Sequence, residues 1–342
     1  MNMFSSNGVL VAGGAGFVGS AVVRELLSLG HRVVVVDNYL HGCAENLRGL
    51  VGDLKLYEID AADRETLINL LQTEHIEHVV NCIGDTYVPS AYAVPERFFA
   101  NNLMATLNLL VAAKAQKVKK FVYVSTTEVY GIAEKAKLDE ETALAPVNTY
   151  AVSKLAADRL CYTFSIEHNF PVVIGRLFNC YGPRETHPYI VPEIISQFHQ
   201  GSHLRLGNTA ARRDFTYVHD TARALISLLS TDQAFGDVVN IGSDCSYSVL
   251  DLVKLIAAAM HIESFTVEKD PSRFRILDID DFRCDNGKLC QLTNWRPTVN
   301  IDDGLAMTIQ YFNENNFKWS WELSSADSNF SPRNDECLLE RA

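Results

Sequence analysis

The spacing of three glycines in Gly13-Gly-Ala-Gly16-Phe17-Val18-Gly19 limits the fold of this chain more than any other feature. An apolar, β-branched run at 8–12 leads into it, and a helical pattern at 17–29 leads out. A strand that turns into a helix through such glycines opens an α/β fold, a doubly wound parallel sheet. Gly13 permits the tight turn, Gly16 lets backbone approach a pyrophosphate, and Gly19 lets helix and strand pack closely. The helix beginning at Phe17 and Val18 aims its free N–H groups and positive dipole end at the same phosphates.

The alternation continues down the chain. Strands are expected at 31–36, 55–59, 78–82, 121–125 and 171–177, separated by helical stretches, as in a parallel sheet wrapped by helices. The stretches 95–115 and 150–168 are apolar on more than one face. A second copy packing its own pair against them, as a four-helix bundle in a homodimer, would bury that surface. Beyond residue 178 the elements shorten, with irregular segments expected at 181–189, 201–214 and 269–285. We expect a dinucleotide-binding domain over 1–178 and a smaller C-terminal substrate-binding lobe over 179–317. The boundary is interleaved, since 237–241 reads as a strand returning to the main sheet. The polar tail 318–342 is expected to be loosely ordered.

The 342 residues are 47% hydrophobic and carry a formal charge of −12. That balance argues against a nucleic-acid or anionic-membrane partner, which would want a basic patch. The eight cysteines are scattered without a Cys-x-x-Cys pair, so neither a disulfide framework nor a metal site is expected. No basic n-region precedes the first apolar run, and Gly13 and Gly14 interrupt it. We expect no signal peptide, no membrane span and a cytoplasmic protein.

Asp37 ends the second predicted strand, where a carboxylate can bind both ribose hydroxyls of NAD and repel the 2′-phosphate of NADP. Asn38, Tyr39 and Leu40 bring no positive charge, so NAD is the expected cofactor. Ile59 and Asp60, after the third strand, are placed at the adenine edge; Asp60 could instead cap a helix at 64–71.

Tyr150-Ala-Val-Ser-Lys154 places a phenol and an ammonium one helical turn apart. A tyrosine is a poor base at neutral pH, its unperturbed pKa being about 10. A neighbouring ammonium favours the phenolate. A base beside a dinucleotide is an oxidation site. Ser125-Thr126-Thr127-Glu128 ends the fifth strand, at the edge where ligands of such sheets lie. Thr126 could share a hydrogen bond with a substrate alcohol. Glu128 adds a carboxylate that simple alcohol oxidation does not need, and so suggests a second proton transfer.

Further ordered matches follow: Asn102 in Asn-Leu-Met-Ala-Thr, Arg176-Leu-Phe-Asn179-Cys-Tyr-Gly-Pro-Arg184, Arg213-Asp-Phe-Thr-Tyr-Val-His-Asp220 and Asn294-Trp-Arg-Pro297. With the glycine turn, 125–131 and Tyr150–Lys154, they make the chain over about 8–316 resemble the extended short-chain dehydrogenase/reductase family, the nucleotide-sugar epimerases and dehydratases on a Rossmann sheet. The resemblance implies a triad of Thr126, Tyr150 and Lys154, with Asn102 near the cofactor. It implies substrate contacts from Thr126, Thr127, Asn179 and Arg213 to a nucleotide-diphosphate sugar. Arg213 could alternatively pair with Asp214 or Asp220, and Asn179 could stabilise a turn. A carboxylate at Glu128 is what 4,6-dehydratases and uronate decarboxylases of this family carry and 4-epimerases usually lack. Dehydration is therefore the leading expectation, with decarboxylation, 4-epimerisation or a non-catalytic NAD-binding role as alternatives. Asn81-Cys-Ile-Gly84 and Asp85 depart from the family pattern.

Overall fold

The computed structural model describes residues 8–133, 135, 137–274 and 281–319. The chain runs β1 (Gly8–Ala12), α1 (Phe17–Ser28), β2 (Val33–Asp37), β3 (Leu54–Glu58), α2 (Arg64–Thr73) and β4 (Ile76–Asn81). Then come α3 (Val88–Ala93), α4 (Pro95–Phe99), a π turn (Ala100–Met104), α5 (Ala105–Ala115), β5 (Lys120–Thr126), β6 (Lys137–Leu138), α6 (Thr149–His168) and β7 (Val172–Leu177). The remainder is β8 (Asn179–Tyr181), α7 (Ile190–Gln200), β9 (His203–Leu206), β10 (Arg212–Tyr217), α8 (Val218–Ser230), β11 (Val238–Ile241) and β12 (Ser246–Ser248). It closes with α9 (Val249–Ala259), β13 (Thr266–Lys269), β14 (Asp281–Cys284), α10 (Gly287–Thr293) and α11 (Ile301–Glu314).

Seven parallel strands form the main sheet in the order β11-β7-β5-β4-β1-β2-β3. The inner strands β1, β2 and β5 are buried at every residue, which is why they read as unbroken apolar runs rather than alternating ones. One face packs on α1 and α8, the other on α2, α5 and α6. The order reverses between β1 and β4, so their carboxyl ends open the crevice where such sheets hold ligands.

The expected strand near 237–241 does return, pairing Val238 with Ile174. Together with α8 and Trp295 it belongs to the main core, so the chain crosses between the two halves more than once. The segment 201–214, expected to be irregular, contains β9 and the first half of β10. β9 shows only two buried residues in alternation, too short a pattern to stand out, and β10 begins on two arginines. The strand β14 likewise lies inside the segment 269–285. The predicted helix over 95–115 is α4 and α5 joined by the π turn. The lobe core includes Trp319, which packs on Phe312 at 4.4 Å, so it extends past the expected limit at 317. Residues 320–342 of the expected tail lie outside the described residues. Among the described residues no helix is long and apolar enough to cross a membrane, and no cluster of His, Cys, Asp or Glu could hold a metal.

Candidate active site

The glycine turn is built as its residues require. Gly13 adopts φ +74°, a left-handed conformation that side chains resist, and a Cβ there would come within 2.9 Å of the Cys82 carbonyl carbon. A Cβ on Gly19 would lie 2.1 Å from the Gly13 oxygen, so only glycine lets α1 approach the turn this closely. Gly16 is different: a Cβ would meet nothing within 4 Å but the Gly13 oxygen at 3.3 Å, leaving the space beside it open. Helix α1 starts there with no side-chain cap and no acidic residue in its first turn. Its N–H groups are available to phosphate oxygens. Phe17 and Val18 contribute that first turn while their side chains pack on the core.

A cleft of about 560 Å³ spreads from this turn, lined among others by Gly13, Gly16, Asp37, Asp60, Ile83 and Gly84. The Asp37 carboxylate accepts from the Ala15 N–H at 2.9 Å and the Tyr39 N–H at 2.8 Å. Burial pushes its carboxyl up, while those N–H groups and His41 pull the other way. Ile59 lines the cleft as well, and Asn38 donates to Asp60 at 3.1 Å across its rim. The cap of α2 is Asp63, not Asp60, so Asp60 is left on the cleft. Among the described residues that line the cleft, none is Lys or Arg. A dinucleotide without a 2′-phosphate fits these residues: amides for its pyrophosphate, a carboxylate for its ribose.

Asn102 stands apart from this lining. It is fully buried in the π turn, accepts from the Asp85 N–H at 2.7 Å and donates to the Asp85 carbonyl at 3.0 Å and the Ser153 hydroxyl at 2.8 Å. Its amide thus ties the 84–85 segment to α6. The π turn supplies the extra residue that turns Asn102 inward, a use of π geometry common at functional sites. Asp85, the departure noted in the sequence, is wholly buried against Arg97 at 2.6 Å and His41 at 3.1 Å. Burial works to raise its carboxyl, but these partners hold it below the usual range.

Thr126, Glu128, Tyr150 and Lys154 meet at the carboxyl end of β5. The Thr126 hydroxyl accepts the Glu128 N–H at 3.3 Å and is hydrogen-bonded to Tyr150. Glu128 is half-buried and accepts from the Asn148 side chain at 3.2 Å. Asn148 also caps α6, accepting the Ala151 N–H at 2.8 Å, so one residue fixes the start of the Tyr150 helix and the Glu128 carboxylate together. Burial raises the Tyr150 phenol well above its ordinary value; the Thr126 bond lowers it, and Glu128 and Asp85 raise it further. The Lys154 ammonium donates to the Val124 carbonyl at 2.6 Å and lies 4.5 Å from the Tyr123 ring centroid. Burial pushes the Lys154 ammonium itself down to about 8. A Cβ on Gly84 would lie 3.6 Å from the Lys154 nitrogen, which puts that ammonium just behind a residue of the cleft lining.

Behind these groups is a buried network that sequence reasoning missed. Asp158, one turn beyond Lys154, accepts two bonds from Arg176 at 3.0 and 3.1 Å and one from Ser125 at 2.8 Å. Arg176 donates to the Tyr130 hydroxyl at 3.1 Å, which donates to Asn240 at 2.6 Å. The network ties β5, the turn carrying Glu128, α6, β7 and β11 together. The signal was a carboxylate at 158 on the inward face set by Tyr150 and Lys154.

On the lobe side, Asn179 begins β8, and Arg213 lies in β10 with its guanidinium 5.5 Å from the Phe282 ring centroid. Asp214 is taken by Ser243 and the Cys284 N–H, and Asp220 by Arg223 and the Thr298 and Val299 N–H groups. Thr127 is buried, and its hydroxyl finds no hydrogen-bond partner among the described residues. Near the centre lies the 185–189 segment. The Tyr189 and Thr86 hydroxyls share a hydrogen bond of 2.7 Å, His187 stacks on Tyr87 at 5.4 Å, and Tyr150 is among the groups that raise the Tyr189 phenol. Neither Thr86 nor Tyr189 carries a motif that would single it out.

The chain is 31% identical over 320 residues to the UDP-N-acetyl-alpha-D-glucosaminuronate decarboxylase of Bacillus cytotoxicus, covering 89% of this chain and 97% of that protein. It is 30% identical over 324 residues to the dTDP-D-glucose 4,6-dehydratase of Bos taurus, covering 91% and 90%. Among solved structures, the UDP-glucose 4-epimerase of Thermotoga maritima matches with a TM-score of 0.83 at 28% identity, covering 90% of this chain and 99% of that one. The dTDP-glucose 4,6-dehydratase of Bacillus anthracis, solved with NAD, matches at 0.82 and 25%, covering 92% and 98%. A family model described as GDP-mannose 4,6 dehydratase matches residues 10–308, and the chain belongs to that family, the NAD-dependent nucleotide-sugar dehydratases and epimerases of the extended short-chain dehydrogenase/reductase type.

Proposed function

We propose that the protein is an NAD-dependent nucleotide-sugar 4,6-dehydratase that works as a homodimer. The observation that carries the reading is Glu128, held by Asn148 on the turn that also presents Thr126 to Tyr150. NAD, when bound, would accept the hydride that leaves C4 of the sugar. Tyr150 takes the C4 hydroxyl proton, and Thr126 orients that hydroxyl. The buried ammonium of Lys154 adds positive charge just behind the cleft lining and supports the phenolate. The resulting 4-keto group acidifies C5. Glu128 then removes the C5 proton and protonates the departing C6 hydroxyl, so water leaves; the hydride taken from C4 would return to C6 and a proton to C5, so that the overall dehydration leaves NAD unchanged. Asn179, Thr127 and Arg213 receive the sugar and its diphosphate, Arg213 through a guanidinium suited to phosphate oxygens. The same carboxylate could serve uronate decarboxylation, the reaction named for the relative at 31% identity. A non-catalytic role is disfavoured by the intact Thr126, Tyr150 and Lys154.

A panel of nucleotide sugars, with products analysed by mass, tests the assignment. Loss of water supports dehydration, loss of carbon dioxide indicates decarboxylation, and an unchanged mass with altered stereochemistry indicates epimerisation. Tyr150→Phe is expected to abolish cofactor reduction. Glu128→Gln is expected to retain it while losing elimination and solvent deuterium wash-in at C5, a loss of about 10²–10⁴-fold in turnover. Wild-type turnover in Glu128→Gln would make the carboxylate a bystander.

A further inference from the structure

Away from the cleft, four elements bring an unusual set of side chains together. Arg24 lies two turns into α1, Arg184 follows β8, His219 is the second residue of α8, and Tyr311 is in α11. None of the four lines the cleft described above. The Arg184 guanidinium lies 4.8 Å from the Tyr311 ring centroid and makes no hydrogen bond or ion pair among the described residues. Arg184 also holds φ +69°, a left-handed conformation that its Cβ disfavours. Arg24 donates to the Asn46 carbonyl at 2.5 Å, but its Nε is buried without a partner.

Burial first, then Arg184, lowers the Arg24 guanidinium to about 10. Burial, then Arg184 and Arg24, also lowers the His219 imidazole. The nearby carboxylates do not answer them. Asp220 is taken by Arg223 and the Thr298 and Val299 N–H groups, and exposed Glu45 pairs with Arg48 at 3.0 Å. Half-buried like charges that face each other with unused donors form an arrangement that a multiply charged anion turns from repulsive to attractive. Planar guanidinium forks match phosphate oxygens, and the Tyr311 ring holds one fork in place.

We propose that Arg24 and Arg184, with His219 and Tyr311 beside them, form a second anion site that binds a phosphate group, separate from the cofactor and substrate cleft. Arg184 is also the residue immediately before the 185–189 segment, which Tyr189 fastens to Thr86. An occupant would therefore hold the root of that segment against α1. The proposal is independent of which sugar reaction the cleft performs.

Thermal unfolding of the full NAD-saturated chain, followed against inorganic phosphate with ionic strength held constant by sodium chloride, tests it. The wild type is expected to show a saturable rise in Tm that chloride does not reproduce. Arg24→Gln and Arg184→Gln are each expected to weaken the phosphate midpoint by at least about tenfold, the loss of one charge-assisted contact. Arg24→Glu supplies the missing negative charge from the chain itself. It is expected to raise Tm without phosphate and to remove the response. A wild type that does not respond beyond the chloride control would overturn the proposal. So would an equal response in both glutamine variants, which would place the phosphate in the cleft.

Discussion

Asp37 is committed to two backbone amides even before a ribose is considered, and those amides belong to the two loops that frame the cleft. Its carboxylate therefore shapes the site, and we propose that it also supplies the contact that selects a ribose without a phosphate. Asp37→Ala is expected to weaken NAD binding by about 1.5–3 kcal/mol, the range for a charge-assisted bond, measured by calorimetry. Unchanged affinity would remove the residue from the cofactor site. Residues of this kind were legible because motif and strand periodicity together locate them. The direction of Lys154 was not. Helical spacing gives the face on which a side chain leaves, but whether it bends to a phenol or a carbonyl depends on β5, which lies 30 residues away.

At the scale of elements, the Asp158–Arg176 pair joins α6 to β7, and both side chains are buried. Removing one member strands the other charge away from water. Asp158→Asn is expected to cost on the order of 3–5 kcal/mol of unfolding free energy, read from the urea midpoint at unchanged slope. A cost below about 1 kcal/mol, the worth of an exposed pair, would show that the network does not hold the helix. The parallel strands were readable from sequence because burial on both faces leaves them continuously apolar. The lobe strands were not, being as short as the three residues of β8 and β12 and mixed with charges. The supporting network was hidden for another reason. Its bonds join residues 18, 33 and 110 positions apart, and no local pattern marks a partner at such distances.

For the whole molecule, the surface still to be accounted for is on the helices over 95–115 and 150–168. Phe99, Met104, Val152, Tyr162 and Ile166 all remain exposed on them. Large apolar side chains concentrated on two adjacent helices suit a two-fold contact with a second copy. Light scattering of the NAD-bound protein at micromolar concentration is expected to give twice the chain mass, and Ile166→Glu to shift it toward the single chain. A single-chain mass for the wild type would rule out the assembly. The hydroxyl pair of Thr86 and Tyr189 has a different consequence at this scale. One oxygen follows β4 and the other directly precedes α7, so this bond fastens the two halves of the chain to each other. For any ligand that must part the two to bind, apparent affinity equals intrinsic affinity multiplied by the fraction of molecules in which the bond stands open.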